Sequence, residues 1–146
     1  MTTSSDQYGI TDMAALKGDI ADWCAELGFS QVGVSDVDLR DAEDRLTRWL
    51  DDRFHGSMHY MERHGTKRSR PGELVPGTVR VLSVRMDYLP ESQNAAQALL
   101  DHESQAYVSR YALGRDYHKV LRGRLRELAR RIGERVGEFG YRVFVD

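Results

Sequence analysis

The sequence is poor in cysteine: Cys24 is the only one in 146 residues. A lone thiol rules out an internal disulfide and cannot supply the four thiolates that an ordinary iron–sulfur cluster takes. Long apolar runs are missing too. None approaches the roughly 18 residues that a membrane-spanning helix needs, and the N-terminus lacks the basic-then-apolar order of a secretory signal, so no membrane is expected and the cytoplasm is the default location. No internal repeat and no low-complexity tract interrupts the chain. A chain of this length buries a core without a disulfide or a structural metal, and the charged fraction of 30% is that of a globular domain.

The small net charge of −2 conceals an asymmetry. Residues 1–54 hold 12 acids against 5 bases, whereas residues 55–146 hold 11 acids against 16 bases. The second block can face phosphates, since Lys and Arg that neutralise them dominate nucleic-acid affinity. A solvated helix face explains the same count equally simply.

Periodicity divides the chain into elements. Residues 1–11 are polar and read as a flexible arm. Leu16, Ile20, Trp23, Cys24 and Leu27 share a helical face, with Thr11 or Asp12 as N-cap and Gly28 in the position after the helix, which makes Cys24 a core residue. Residues 31–35 alternate as a strand. Asp38 then caps a second helix running to about Phe54, with Leu39, Ala42, Leu46, Trp49 and Leu50 inward. Residues 55–76 form a loop region holding a short Met-rich helical turn and the basic cluster Lys67, Arg68 and Arg70 before Pro71. Residues 79–88 read as a strand and residues 91–105 as a polar connection. A long helix follows from Asp116 to about Glu138, with stripe Val120, Leu121, Leu125, Leu128, Ile132 and Val136 and with Gly140 closing it. Residues 141–145 complete the pattern as a last strand. The expected class is α+β, with α/β-like features: helices packed on a small mixed sheet.

Three groups of residues invite a chemical reading. His55, His59 and His64 stand four and five residues apart, and on a helix the first two would share a face as metal ligands do. Gly56 occupies the place of the Glu found in zincin helices, so no metal site is assigned. Asp116 opens a helix with Tyr117 and His118 in its first turn, a setting whose free N–H groups and partial positive charge suit an anion or an amide oxygen; ordinary capping accounts for it as well. Asp146 follows an apolar segment at the strand end where α/β folds build sites. Burial beside a hydrophobic group would raise its pKa and keep it protonated as a general acid, but a polar residue ending a strand is the simpler alternative.

Six segments, at 28–34, 55–61, 74–78, 83–88, 109–118 and 144–146, resemble the N-terminal half of bacterial epoxyqueuosine reductases in order and spacing. Gly114-Arg115-Asp116-Tyr117-His118 is the most specific of them. The resemblance implies a cobalamin-binding region at 12–146, cut before a ferredoxin-like module that carries two 4Fe–4S clusters. It implies an oxidoreductase that reduces epoxyqueuosine to queuosine in the tRNA anticodon, fed by an electron donor and monomeric. Asp146 matches the family's proton donor and lies against the cobalamin, Arg68 in Lys67-Arg68-Ser69-Arg70-Pro71 matches a cobalamin contact, and Ser109 matches a second, through backbone or a small side chain. Alone, the chain is expected to be inactive. A tRNA-binding module without catalysis and a cobalamin carrier domain are the competing readings.

Overall fold

The computed structural model describes residues 12–88 and 93–145. Its helices are α1 (Met13–Glu26), α2 (Arg40–Asp51), α3 (Tyr60–Arg63), α4 (Pro71–Leu74), α5 (Gln93–Leu100) and α6 (Tyr117–Val136). Two 3-10 turns, Gly65–Arg68 and Arg110–Ala112, accompany them. Strands β1 (Gln31–Ser35) and β2 (Val81–Arg85) form a two-stranded antiparallel sheet, entered where the Ser30 N–H donates to the Arg85 carbonyl at 2.7 Å. The α+β expectation holds, with the sheet reduced to a single pair of strands.

The chain forms two compact units. Among the described residues, the first comprises those up to Val32, those between Val84 and Phe139, and 143–145. Asp12 starts its α1 by accepting from the N–H groups of Ala14 and Ala15 at 2.9 and 3.2 Å, as the sequence predicts; Thr11, the other candidate, lies outside the described residues. At the far end the Gly28 N–H reaches the Ala25 carbonyl and the Phe29 N–H reaches that of Cys24, both at 2.9 Å, with Gly28 at φ +79°. This pair of bonds is a Schellman closure, which needs a left-handed residue between helix and exit. It turns Phe29 back into the core beside α1.

That core consists of Ile20 and Cys24 from α1, Phe29, and Leu128 and Ala129 from α6. Cys24 is 2% exposed, and burial pushes its thiol pKa up, so it behaves as a small hydrophobe rather than a nucleophile. Ion pairs flank the contact between the two helices: Arg131 with Glu26 at 2.6 Å and Arg135 with Asp19 at 3.1 Å. Arg124 lays its guanidinium against Gly28 and donates to the Met86 sulfur at 2.9 Å.

The second unit comprises Gly33–Ser83 with Gly140–Arg142. A polar knot holds it. The Glu43 carboxylate on α2 takes Arg70 at 2.7 and 2.9 Å and the hydroxyl of buried Ser69 at 2.6 Å, while Arg70 also reaches Glu73 at 3.0 Å. Glu73 in turn accepts from Thr66 at 2.6 Å.

Several boundaries differ from expectation. Asp38 stands one residue before the cap position, which Leu39 occupies: its carboxylate binds the Arg40 guanidinium at 2.8 Å and accepts from the Arg40 N–H only at 3.4 Å. The helix ends at Asp51 instead of near Phe54, because Arg53 adopts φ +57°. The strand at 79–88 shortens to Val81–Arg85, and α5 occupies part of the presumed polar connection. Gly137, at φ +90°, closes α6 three residues before Gly140. Residues 141–145 form no strand: alternation makes one only where a neighbour supplies a ladder, and no ladder to them is assigned among the described residues.

Candidate functional site

Residues 107–118 give the entrance of α6 an unusual surface. The backbone turns through the 3-10 segment after Ser109, passes Gly114 at φ +81°, and enters the helix at Asp116. Asp116 Oδ1 accepts from the His118 N–H at 3.0 Å and meets the His118 ring nitrogen Nδ1 at 3.1 Å. Partial desolvation pushes the Asp116 pKa up, but the hydrogen bonds from His118 outweigh it and hold the carboxyl below its ordinary value. The Tyr117 and His118 rings lie 4.0 Å apart between centroids, and Tyr111 meets Tyr117 edge-on at 6.1 Å. An anionic cap thus fixes two aromatic rings at a helix start, which is the capping alternative realised in full. The cap satisfies one N–H group, and the Tyr117 and His118 rings beside it are half-buried.

Ser109 sits at the head of its 3-10 turn, its carbonyl accepting from Ala112 at 2.9 Å, while its hydroxyl makes no capping bond. Tyr107, Val108, Tyr111 and Leu113 around it are all exposed. Arg68 belongs to the second unit, where it donates to the Tyr60 carbonyl at 2.5 Å and lies over the Tyr60 ring, 5.8 Å from the centroid. Ser109 belongs to the first unit and Arg68 to the second. Asp146 lies outside the described residues; Val143 and Val145 leading to it are half-buried, and Phe144 is exposed.

The histidine cluster assembles differently from a helical ligand pair. His55 is not helical, His59 precedes α3, and Glu62 joins them where His64 was expected; His55, His59 and Glu62 each offer a ligand atom within 4.8 Å of the others. His55 is 4% exposed, and its Nε2 meets Glu62 at 2.5 Å. Its Nδ1 is buried without a partner. A cation on Nε2 would force the proton onto that buried Nδ1, where no acceptor waits, against the usual arrangement of metal-bound imidazoles. The geometry favours a hydrogen bond from Nε2 to Glu62 that clasps the loop to α3.

Sequence reasoning missed Glu43 and Ser69, because partners 26 and 27 residues apart leave no spacing signal. Counting charge over residues 55–146 also cannot sort the arginines of α6. The structure divides them: Arg130 is held by Glu127 and Glu134, and Arg131 by Glu26 and Glu127, whereas Arg122 and Arg126 are exposed without an acid partner among the described residues.

These features belong to a domain of the α+β class that gathers exposed aromatic and apolar side chains, an uncommitted hydroxyl and unpaired cations around the start of α6. The chain belongs to the family described as epoxyqueuosine reductase QueG, DUF1730, whose profile matches residues 68–146. It is similar to the epoxyqueuosine reductase of Pseudomonas aeruginosa, 58% identical over 142 residues, covering 97% of this chain and 39% of that protein. The Vibrio cholerae enzyme of the same name is 52% identical over 135 residues, covering 92% of this chain and 36% of the relative. For that of Escherichia coli the figures are 52% over 136 residues, 92% and 35%. The chain thus spans under two fifths of the length of these curated relatives. No solved structure matches. No helix among the described residues is long and apolar enough to cross a membrane.

Proposed function

We propose that this chain is the N-terminal, cobalamin-facing portion of a cytoplasmic epoxyqueuosine reductase that converts epoxyqueuosine in the tRNA anticodon to queuosine. The observation that carries the reading is the 58% identity to a reductase along nearly the whole chain, which includes the capped Gly114–His118 element at the head of α6. Opening the epoxide to an alkene takes up two electrons and two protons and releases the oxygen as water, so the reaction needs an electron donor and a proton source.

The residues around Ser109 fit a corrin. Exposed Tyr107, Val108, Tyr111 and Leu113 offer an apolar face, and the uncommitted Ser109 hydroxyl and neighbouring backbone offer partners for the amide arms of the ring. Arg68, pinned by Tyr60, keeps further N–H groups for the same kind of acceptor. Bound cobalamin supplies the electron-transfer chemistry at the epoxide. In this reading Asp146 is the residue that would deliver a proton to the departing oxygen. Iron–sulfur ligation does not fit this chain, because its one cysteine is buried in the core; two 4Fe–4S clusters are assigned to the remainder of the complete protein.

The test is a reconstitution. Full-length protein with cobalamin and a low-potential reductant is incubated with tRNA bearing epoxyqueuosine, and the nucleosides are resolved by mass. Queuosine formation that requires cobalamin is the expected result. Tight cobalamin binding with no conversion would favour the carrier reading instead.

A further inference from the structure

Helix α6 carries two kinds of arginine, and the division follows the helix axis. Along the last two turns every cation is answered: Arg130 by Glu127 and Glu134, Arg131 by Glu26 and Glu127, Arg135 by Asp19. Along the first three turns the outer face is different. Lys119, Arg122 and Arg126 follow one another at spacings of three and four, which puts them within about 60° of one another around the helix. Arg115 precedes the cap just before them. All four are exposed, and none has a carboxylate within ion-pair distance among the described residues; only Asp116 acts on Lys119 from further off. Gly123 on the same face leaves open space where a side chain would stand.

A solvated helix face of an ordinary domain mixes signs, as the last two turns of this same helix do. Beyond the anionic Asp116 cap, residues 117–126 carry only positive charge, near the helix end where the peptide dipoles add to it. With a rise of about 1.5 Å per residue, Lys119 to Arg126 spans roughly 10 Å. That is a row of charges for a polyanion, too long for a single phosphate or carboxylate.

We propose that Arg115, Lys119, Arg122 and Arg126 form a contact stripe for the sugar–phosphate backbone of the substrate tRNA, and that Arg130, Arg131 and Arg135 take no part in it. The proposal rests on the reading that the complete protein acts on tRNA. The stripe supplies affinity and orientation without base choice, since phosphate contacts position rather than specify. Arg130 serves the fold of the helix instead, its charge already spent on two glutamates.

The experiment measures binding of fluorescent epoxyqueuosine tRNA to the full-length protein between 50 and 200 mM salt, as wild type, as the triple variant Arg115→Ala/Arg122→Ala/Arg126→Ala, as the triple Arg→Lys variant, and as Arg130→Ala. Each lost phosphate contact flattens the log–log salt slope by roughly 0.7–0.9, so the triple Ala variant loses about 2–3 of slope. The fourfold change in salt then weakens it by a factor roughly 15–60 smaller than it does wild type. The Lys variant keeps most of the slope, and Arg130→Ala matches wild type. Circular dichroism and cobalamin binding verify that each variant is folded. A triple Ala variant that is folded and binds with the wild-type slope overturns the stripe; if it still reduces epoxyqueuosine, the proposed function stands without it. Loss of turnover with the protein electron donor at unchanged tRNA affinity assigns the face to that donor and equally overturns the proposal. Wild-type protein that binds no tRNA at any salt overturns both readings.

Discussion

Leu128→Ala tests the packing of α1 on α6, on which the first unit depends. Leu128 is 3% exposed, and the substitution removes three carbons from a site shared with Ile20, Cys24 and Phe29. At about 0.8 kcal/mol per methylene, the lost transfer energy is roughly 2.4 kcal/mol. The cavity left behind adds to it, and buried Leu→Ala changes cost about 2–5 kcal/mol in all, so a loss of about 3–4 kcal/mol is expected here. Alanine's better helix propensity returns only a few tenths. In a domain of this size, the thermal midpoint falls by about 10 °C. Urea unfolding followed through Trp23, which lies on α1 next to the core, reads the change directly. Leu100→Ala is the control, since Leu100 on α5 is 55% exposed and its loss should stay within about 0.5 kcal/mol. A Leu128→Ala loss below about 1 kcal/mol would refute the assignment of this contact as the core.

Gly28→Ala should destabilise by about 1–2 kcal/mol in thermal unfolding, since the residue sits at φ +79° and a Cβ there would stand 2.6 Å from Arg124 Nη1; an unchanged midpoint would mean that α1 does not end this way. Glu43 is held at a pKa of about 2, below its ordinary 4.5, first by Arg70 and then by Ser69. A folded pKa below the unfolded one gives stability that is present above about pH 4.5 and lost as the pH falls toward 2. Denaturation midpoints across that window should therefore fall with acid, and Glu43→Gln should lessen the slope; an identical slope in the variant would remove Glu43 from the account. In the full-length protein, Asp146→Asn should keep cobalamin bound while single-turnover epoxide reduction drops by about 10²-fold or more, the usual worth of a positioned acid. A normal rate would end its role as proton donor.

What the sequence made legible, and what it hid, divides along the range of the forces involved. Asp12, Gly28 and Asp116 announced helix ends because capping is satisfied within three or four residues. The stripes of α1 and α6 announced Cys24 and Leu128 as core because helical period and burial coincide. Asp38 was off by one residue, since the Arg40 guanidinium takes most of its carboxylate and the bond to the Arg40 N–H is long. Residues 141–145 misled for a different reason: a strand is a property of two segments, and the sequence shows one at a time. The helix α5 was hidden because its eight residues, Gln93–Leu100, make only about two turns, too few to repeat an apolar stripe. At the candidate site, the Asp116 cap was legible, but the sorting of α6 arginines was not. Arg131 and Arg135 are neutralised by Glu26 and Asp19 more than a hundred residues away, and composition counts them with Arg122 and Arg126.

The central claim, reduction of epoxyqueuosine in tRNA, is tested most directly in a cell that cannot perform that step. The full-length gene is expressed in a strain lacking its own epoxyqueuosine reductase, cobalamin is supplied, and bulk tRNA is digested for nucleoside mass analysis. Queuosine should appear at the expense of epoxyqueuosine. Epoxyqueuosine persisting undiminished, with the protein abundant, folded and loaded with cobalamin, would contradict the account.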